Sequence, residues 1–227
     1  MTQQRRNNTS SGRASNKINM SLKYIEPLTK QQEIMFETPG NFVAHGSAGT
    51  GKTFGALYIA LEEVIRKDNF THVTIIRSAV ETRKIGFLPG DDKEKTAIYQ
   101  NPYKEICQEL FGGRADAYDY LVSKGLIRYM TTSFIRGSNL NNSIVLIDEY
   151  QNMTFHELDS VITRFGHGCR VMFCGDTHQS DLGPQTGIVR FNKILQDMNE
   201  FKFIEFGIED VVRGPLVKSY LESKYKL

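Results

Sequence analysis

The apolar stretch Phe42-Val43-Ala44 runs into Gly46-Ser47-Ala48-Gly49-Thr50-Gly51-Lys52-Thr53, and that octet leads directly into a helical pattern over 53–66. The octet obeys G-x-x-x-x-G-K-[ST], a loop that must stand between a strand and a helix. Its glycines turn successive backbone N–H groups inward, and the helix N-terminus behind it adds a dipole favourable to an anion. Gly46, Ser47, Ala48, Gly49, Thr50, Gly51, Lys52 and Thr53 are therefore the expected phosphate-binding residues. Lys52 can reach the β and γ oxygens of a nucleoside triphosphate, and the Thr53 hydroxyl can ligate Mg²⁺.

A loop of this kind needs partner carboxylates, and they appear downstream. Ile144-Val145-Leu146-Ile147-Asp148-Glu149 supplies four apolar residues that make a fully buried strand, with two acids at its C-terminal end. Asp148 fits a Mg²⁺ ligand opposite Thr53, and Glu149 fits the base that polarises an attacking water. Downstream, Gly175-Asp176-Thr177-His178-Gln179 follows another apolar run. A glutamine at such a strand end can hydrogen-bond both a γ-phosphate and water, so Gln179 is a candidate catalytic residue.

The remaining pattern alternates strands with helices. Strands are expected at 42–45, 72–77, 127–131, 143–147, 170–174 and 202–206; helices at 29–37, 53–66, 99–111, 115–123, 154–164, 187–198 and 211–224. Short apolar strands separated by helices predict an α/β fold, a doubly wound, mainly parallel sheet covered on both faces. Ligands in such sheets sit beyond the carboxyl ends of the strands, where the phosphate loop, Arg77, Asp148-Glu149 and Gly175-Asp176 all fall. With 227 residues, 40% of them hydrophobic, the chain is long enough for one well-packed domain.

Residues 1–23 carry Arg5, Arg6, Arg13, Lys17 and Lys23 with no acid and few apolar side chains, which predicts a disordered basic arm ahead of a single domain over 24–227. Nothing in the chain approaches a membrane-spanning length, so the expectation is a soluble, cytoplasmic protein without a membrane partner. The net charge of +2 is too small to establish a nucleic-acid partner by itself. Cys107, Cys169 and Cys174 lack metal-ligand spacing and read as reduced thiols. His167 adds no fourth ligand at a helpful distance. Tyr99, Tyr103, Tyr118, Tyr120 and Tyr129 lie among lysines and could stack on bases, but partly buried packing is the simpler role.

Taken in order, the motifs resemble the PhoH family. They are the phosphate loop, Ile76-Arg77-Ser78-Ala79-Val80-Glu81, Gly86-Phe87-Leu88-Pro89-Gly90-Asp91, Arg136-Gly137, Asp148-Glu149-Tyr150-Gln151-Asn152, Thr163-Arg164-Phe165-Gly166, Gly175-Asp176-x-x-Gln179 and Asp210-Val211-Val212-Arg213. The resemblance covers about 24–220. It implies a P-loop NTPase similar to the N-terminal RecA-like half of superfamily one helicases, with ATP and Mg²⁺ as ligands; some family members are RNA-directed ATPases or helicases. Carried over residue by residue, it implies that Gln32, or Gln31 in the alternative register, reads the adenine edge. It further implies that Arg77, Ser78 and Arg136 meet a nucleic-acid backbone. Ser138 and Asn139 stand where many relatives carry a second Arg and a Thr, which weakens the basic character of that loop. Tyr150 stands where Ala is common.

Phosphoryl transfer gains from a cation on the γ-phosphate, which helicases of this class supply from a second RecA-like domain. Arg213 is the candidate for that role, acting on its own site or on a neighbour's; a structural Arg paired with Glu209 or Asp210 is the other reading. Arg164 and Arg190 are weaker candidates. The expectation is a homo-oligomer, a hexameric ring for example, in which Arg213 of one chain completes the ATP site of its neighbour through heterologous contacts. Two functions fit these residues: an ATPase coupled to single-stranded RNA or DNA, RNA before DNA, or a nucleotide-dependent switch acting on a protein partner.

Overall fold

The computed structural model describes residues 18–67, 69–78, 92–176 and 187–224. Six strands form one sheet: β1 (Asn41–Gly46), β2 (His72–Arg77), β3 (Ile127–Thr131), β4 (Ser143–Asp148), β5 (Arg170–Gly175) and β6 (Phe201–Phe206). Their order is β3-β2-β4-β5-β1-β6, and every neighbouring pair is parallel. Seven helices flank the sheet among the described residues: α1 (Lys30–Glu37), α2 (Lys52–Ile65), α3 (Asp92–Leu110), α4 (Ala117–Ser123), α5 (Phe155–Ile162), α6 (Ile188–Met198) and α7 (Pro215–Lys224).

Because successive strand side chains point to opposite faces, each central strand feeds two cores. Phe42 and Ala44 of β1, Ile144 and Leu146 of β4, and Met172 and Cys174 of β5 pack with α1–α4. Val43, Val145, Ile147, Val171 and Phe173 pack on the other face with Leu158 and Val161 of α5 and Phe191 and Leu195 of α6. Burial on both faces explains why these strands read as continuous apolar runs. The register pairs Arg77 with Asp148 and Asp148 with Cys174, which brings the C-terminal ends of β2, β4 and β5 level. β5 lies between the strand that enters the phosphate loop and the strand that carries the two acids.

Three expectations are corrected. α3 begins at Asp92 rather than 99, so the charged run Asp92-Lys93-Glu94-Lys95 is its first turn. α7 begins at Pro215 rather than 211, because a residue before proline is biased away from helical backbone and proline suits the first helical position. Residues 18–23, assigned above to the arm, are held against the domain. Leu22 is buried, the Lys23 N–H donates to the Leu110 carbonyl at 2.9 Å, and Arg66 donates to the Leu22 carbonyl. The rest of the expected arm, 1–17, lies outside the described residues.

Arg170, at the start of β5, is buried; it donates to the Thr38 and Gly40 carbonyls and lies 3.5 Å from the Glu63 carboxylate. It thereby ties the α1–β1 connection and α2 to the sheet. Arg170→Met leaves two carbonyls without their side-chain donor and removes one cation from Glu63, which keeps Lys67 and Asn69, and is expected to cost about 3 kcal/mol. Urea unfolding checks this as a lower midpoint with an unchanged slope.

Candidate nucleotide site

The loop closing β1 is braced from three sides. Ser47 donates its N–H to the Phe206 carbonyl at the end of β6 (2.8 Å), and Val212 donates its N–H to the Gly49 carbonyl (3.1 Å). Gln32 Nε2 donates to the Thr50 carbonyl (2.9 Å), while its Oε1 accepts the Leu28 N–H (2.8 Å). Of the two glutamines considered, Gln32 is the one that faces the loop. Its amide orientation follows from one partner being a donor and the other an acceptor. Gln32 is a brace of the loop in this arrangement, a role the sequence did not suggest.

α2 begins at Lys52, immediately after Gly51 in left-handed backbone, and no side chain caps its first turn. Its leading N–H groups are therefore available to an anion. The Lys52 ammonium is buried and folds onto the loop, donating to the Gly46 carbonyl (3.0 Å), the Ser47 carbonyl (2.6 Å) and Thr50 Oγ1 (3.2 Å). Burial pulls its pKa below the ordinary lysine value, opposed by Cys174, Asp176, Glu149 and Asp148. Reaching a phosphate requires exchange of these contacts for phosphate oxygens.

Thr53 and Asp148, 95 residues apart in sequence, meet directly: Thr53 Oγ1 donates to Asp148 Oδ1 at 2.7 Å. A hydroxyl and a carboxylate at this spacing form a hard-oxygen pair. That pair fits Mg²⁺, which takes few protein ligands and completes its shell with phosphate and water. The other carboxylate oxygen, Oδ2, accepts the Tyr103 hydroxyl at 2.8 Å. Tyr103 is fully buried on α3, and its phenol pKa is raised well above the ordinary value by burial and by the charge of Asp148, so it remains a donor.

Glu149 adopts left-handed backbone (φ 53°, ψ 39°), which turns the chain out of β4. Burial, with the charge of Asp148, raises its pKa above the usual carboxylate range. Gln151, which is buried, donates Nε2 to Glu149 Oε2 and accepts the Asp176 N–H on Oε1 at 3.1 Å. It therefore connects the end of β4 to the end of β5. Gly175 makes this connection possible, since a Cβ there would overlap the Gln151 amide and the Tyr150 ring.

Arg77 stands beside the two carboxylates at the end of β2. Burial disfavours its charge, yet Tyr103, Asp148 and Glu149 around it raise its pKa overall. The sequence placed Arg77 at the same end of the sheet as the paired acids, while the family resemblance implied a nucleic-acid backbone as its partner; here its neighbours are the acids. Ser78 is buried, and its hydroxyl donates to Glu157 Oε1 at 3.1 Å. Glu157 also accepts from Thr132 Oγ1 (2.6 Å) and from the Thr154 N–H (2.8 Å) and hydroxyl (2.9 Å). Ser78 thus belongs to an internal hub joining the segments that follow β2, β3 and β4. Arg136 is exposed and donates to His156 Nε2 at 2.6 Å.

Arg213 lies at the phosphate loop of its own chain. A Cβ added at Gly49 (φ +74°) would sit 2.9 Å from Arg213 Cγ, so the arginine stem packs over a loop position that glycine leaves open. Asp210, offered above as a structural partner for Arg213, accepts the Gly207 N–H at 3.0 Å instead. Arg190 stacks over the Phe155 ring at 4.3 Å, and Arg164 follows the C-terminal end of α5. Gln179 lies outside the described residues, as do Ala79, Val80, Glu81 and the stretch from Gly86 to Asp91.

The all-parallel sheet, the phosphate loop between β1 and α2, and the meeting of Thr53 with Asp148 define a P-loop NTPase fold. A phage protein supports the same fold: the large terminase from a thermophilic bacteriophage superposes with a TM-score of 0.51 over 87% of this chain and 50% of its own, at 13% identity.

Within that class the chain belongs to the PhoH family, whose profile, described as PhoH-like protein, matches residues 24–224. It is 34% identical over 181 residues to a PhoH-like protein of Bacillus subtilis, covering 78% of this chain and 56% of the relative. It is 29% identical over 205 residues to Protein PhoH of Escherichia coli, covering 89% of this chain and 55% of the relative. The chain therefore spans about half the length of the curated relatives it matches. Among the described residues, no helix is long and apolar enough to cross a membrane.

Proposed function

We propose that this chain binds ATP with Mg²⁺ at the loop, hydrolyses it, and couples hydrolysis to single-stranded nucleic acid, RNA before DNA. The observation that carries the reading is the direct contact of Thr53 with Asp148 beside an uncapped helix N-terminus. Lys52 exchanges its loop carbonyls for β- and γ-phosphate oxygens. Thr53 and Asp148 hold Mg²⁺, which when bound withdraws charge from the transferred phosphoryl group. Glu149 accepts the proton of the attacking water. Gln32 keeps one amide N–H and one oxygen lone pair for the adenine edge. Arg77 and Arg213 are the cations available to the developing charge, and Gln179 is assigned to sensing the γ-phosphate.

Nucleic-acid contact rests on the exposed Arg136 and the basic arm, with Arg77 and Ser78 assigned to it by the family resemblance alone. Salt-sensitive binding with weak sequence preference is expected. The test is ATP turnover with and without poly-RNA and single-stranded DNA, run beside a molar-mass determination. Stimulation by either polymer, falling as salt rises, is expected, in a homo-oligomer with a hexamer as the first candidate. No stimulation and no binding at low salt favours the switch acting on a protein partner.

The base assignment has a pH consequence. The Gln151 hydrogen bond favours the ionised form of Glu149, so it works against the upward pull of burial. Gln151→Met removes that bond, raises the Glu149 pKa, and moves the acid limb of kcat to higher pH. A pH–rate profile whose acid limb stays in place contradicts this.

A further inference from the structure

We propose that Tyr103 is a positioning residue for the metal site. The inference rests on the reading that Thr53 and Asp148 hold Mg²⁺, and it adds a third side chain to that pair. A carboxylate at a strand end can rotate about its own bonds, and a metal ligand must present a chosen oxygen. Here each oxygen of Asp148 has one hydroxyl donor, with Thr53 on Oδ1 and Tyr103 on Oδ2. The Tyr103 bond therefore selects which oxygen faces Thr53.

The donor is itself immobilised. Tyr103 is fully buried, and its ring lies 5.9 Å from that of Tyr129 on β3. One helical turn earlier on α3, the Tyr99 ring lies 5.8 Å from the Arg77 guanidinium. Positions four apart share a helix face, so a single face of α3 contacts both Arg77 and Asp148. Such outer partners of metal ligands orient them, and their loss weakens metal affinity about 10- to 100-fold.

Tyr103→Phe removes one oxygen and keeps the ring. The experiment titrates Mn²⁺, as a spin-active substitute for Mg²⁺, into the full chain with saturating ADP and follows free Mn²⁺ by electron paramagnetic resonance. The expected result is Mn²⁺ affinity lowered about 10-fold or more in Tyr103→Phe, read without denaturant where the variant is folded; the urea midpoint falls as well, because the buried Asp148 Oδ2 loses a donor. The KM for Mg²⁺ in ATP turnover should rise in parallel. Should Tyr103→Phe not fold, Tyr103→Met, which fills the space with a flexible apolar chain, carries the same test. Wild-type affinity for Mn²⁺ in a folded variant overturns the role of Tyr103. Absence of nucleotide-dependent Mn²⁺ binding in the wild type instead overturns the metal-site reading beneath it.

Discussion

Glu149→Gln lowers ATP turnover about 10²- to 10⁴-fold, the contribution expected of a positioned general base, while ATP affinity stays close to that of the wild type. The substitution keeps size and shape, and Gln151 Nε2 can still donate to the new amide oxygen. The phosphate cradle of Lys52, the α2 N-terminus and the Thr53–Asp148 pair is untouched. The loss should therefore fall on kcat rather than on binding. Single-turnover hydrolysis beside a fluorescent-nucleotide titration separates the two. A variant that loses affinity and rate together would assign Glu149 to holding the site rather than to proton transfer.

Arg213→Ala is expected to lower turnover about 10³-fold or more, the scale of a cation lost from a phosphoryl-transfer transition state. The geometry favours action in its own chain over the neighbour's site that the sequence suggested. The Arg213 stem packs over Gly49, and Val212 is bonded to the Gly49 carbonyl. Mixing Arg213→Ala chains, whose loop is intact, with Lys52→Ala chains, whose arginine is intact, should therefore restore no activity even when molar mass shows that they assemble together. Activity recovered on mixing would move the arginine to a neighbour's site.

The parts of the fold legible in sequence were those set by local pattern. β2 and β3 have the expected bounds; for β2 an apolar run buried along almost its whole length leaves little freedom in where the strand ends, whereas β3 is a half-exposed edge strand. The phosphate loop and Asp148-Glu149 were readable because spacing within one short segment carries their chemistry. What escaped was decided by distant partners. Tyr103 reads as a packing aromatic until α3 sets it against a residue 45 positions away. Arg77 could be placed at the right end of the sheet, but its register opposite Asp148 is set only when β2 pairs with β4. The resemblance implies that Gln32 reads the base, and its additional bond to Thr50 becomes visible only once α1 is docked on the loop. Gln151 stood in a recognised motif without a role, because its task is to span two strand ends. For residues 18–23, the polar composition of the arm taken as a whole concealed the alternating Ile18, Met20 and Leu22, which pack against the domain.

The most direct test of the central claim is phosphate release from ATP by the purified chain in Mg²⁺, with Lys52→Ala alongside. Steady release by the wild type, abolished in Lys52→Ala together with most of its nucleotide affinity, is the expected result. Release by Lys52→Ala at the wild-type rate, or no release by the wild type with or without nucleic acid, contradicts the assignment of ATP hydrolysis to this loop.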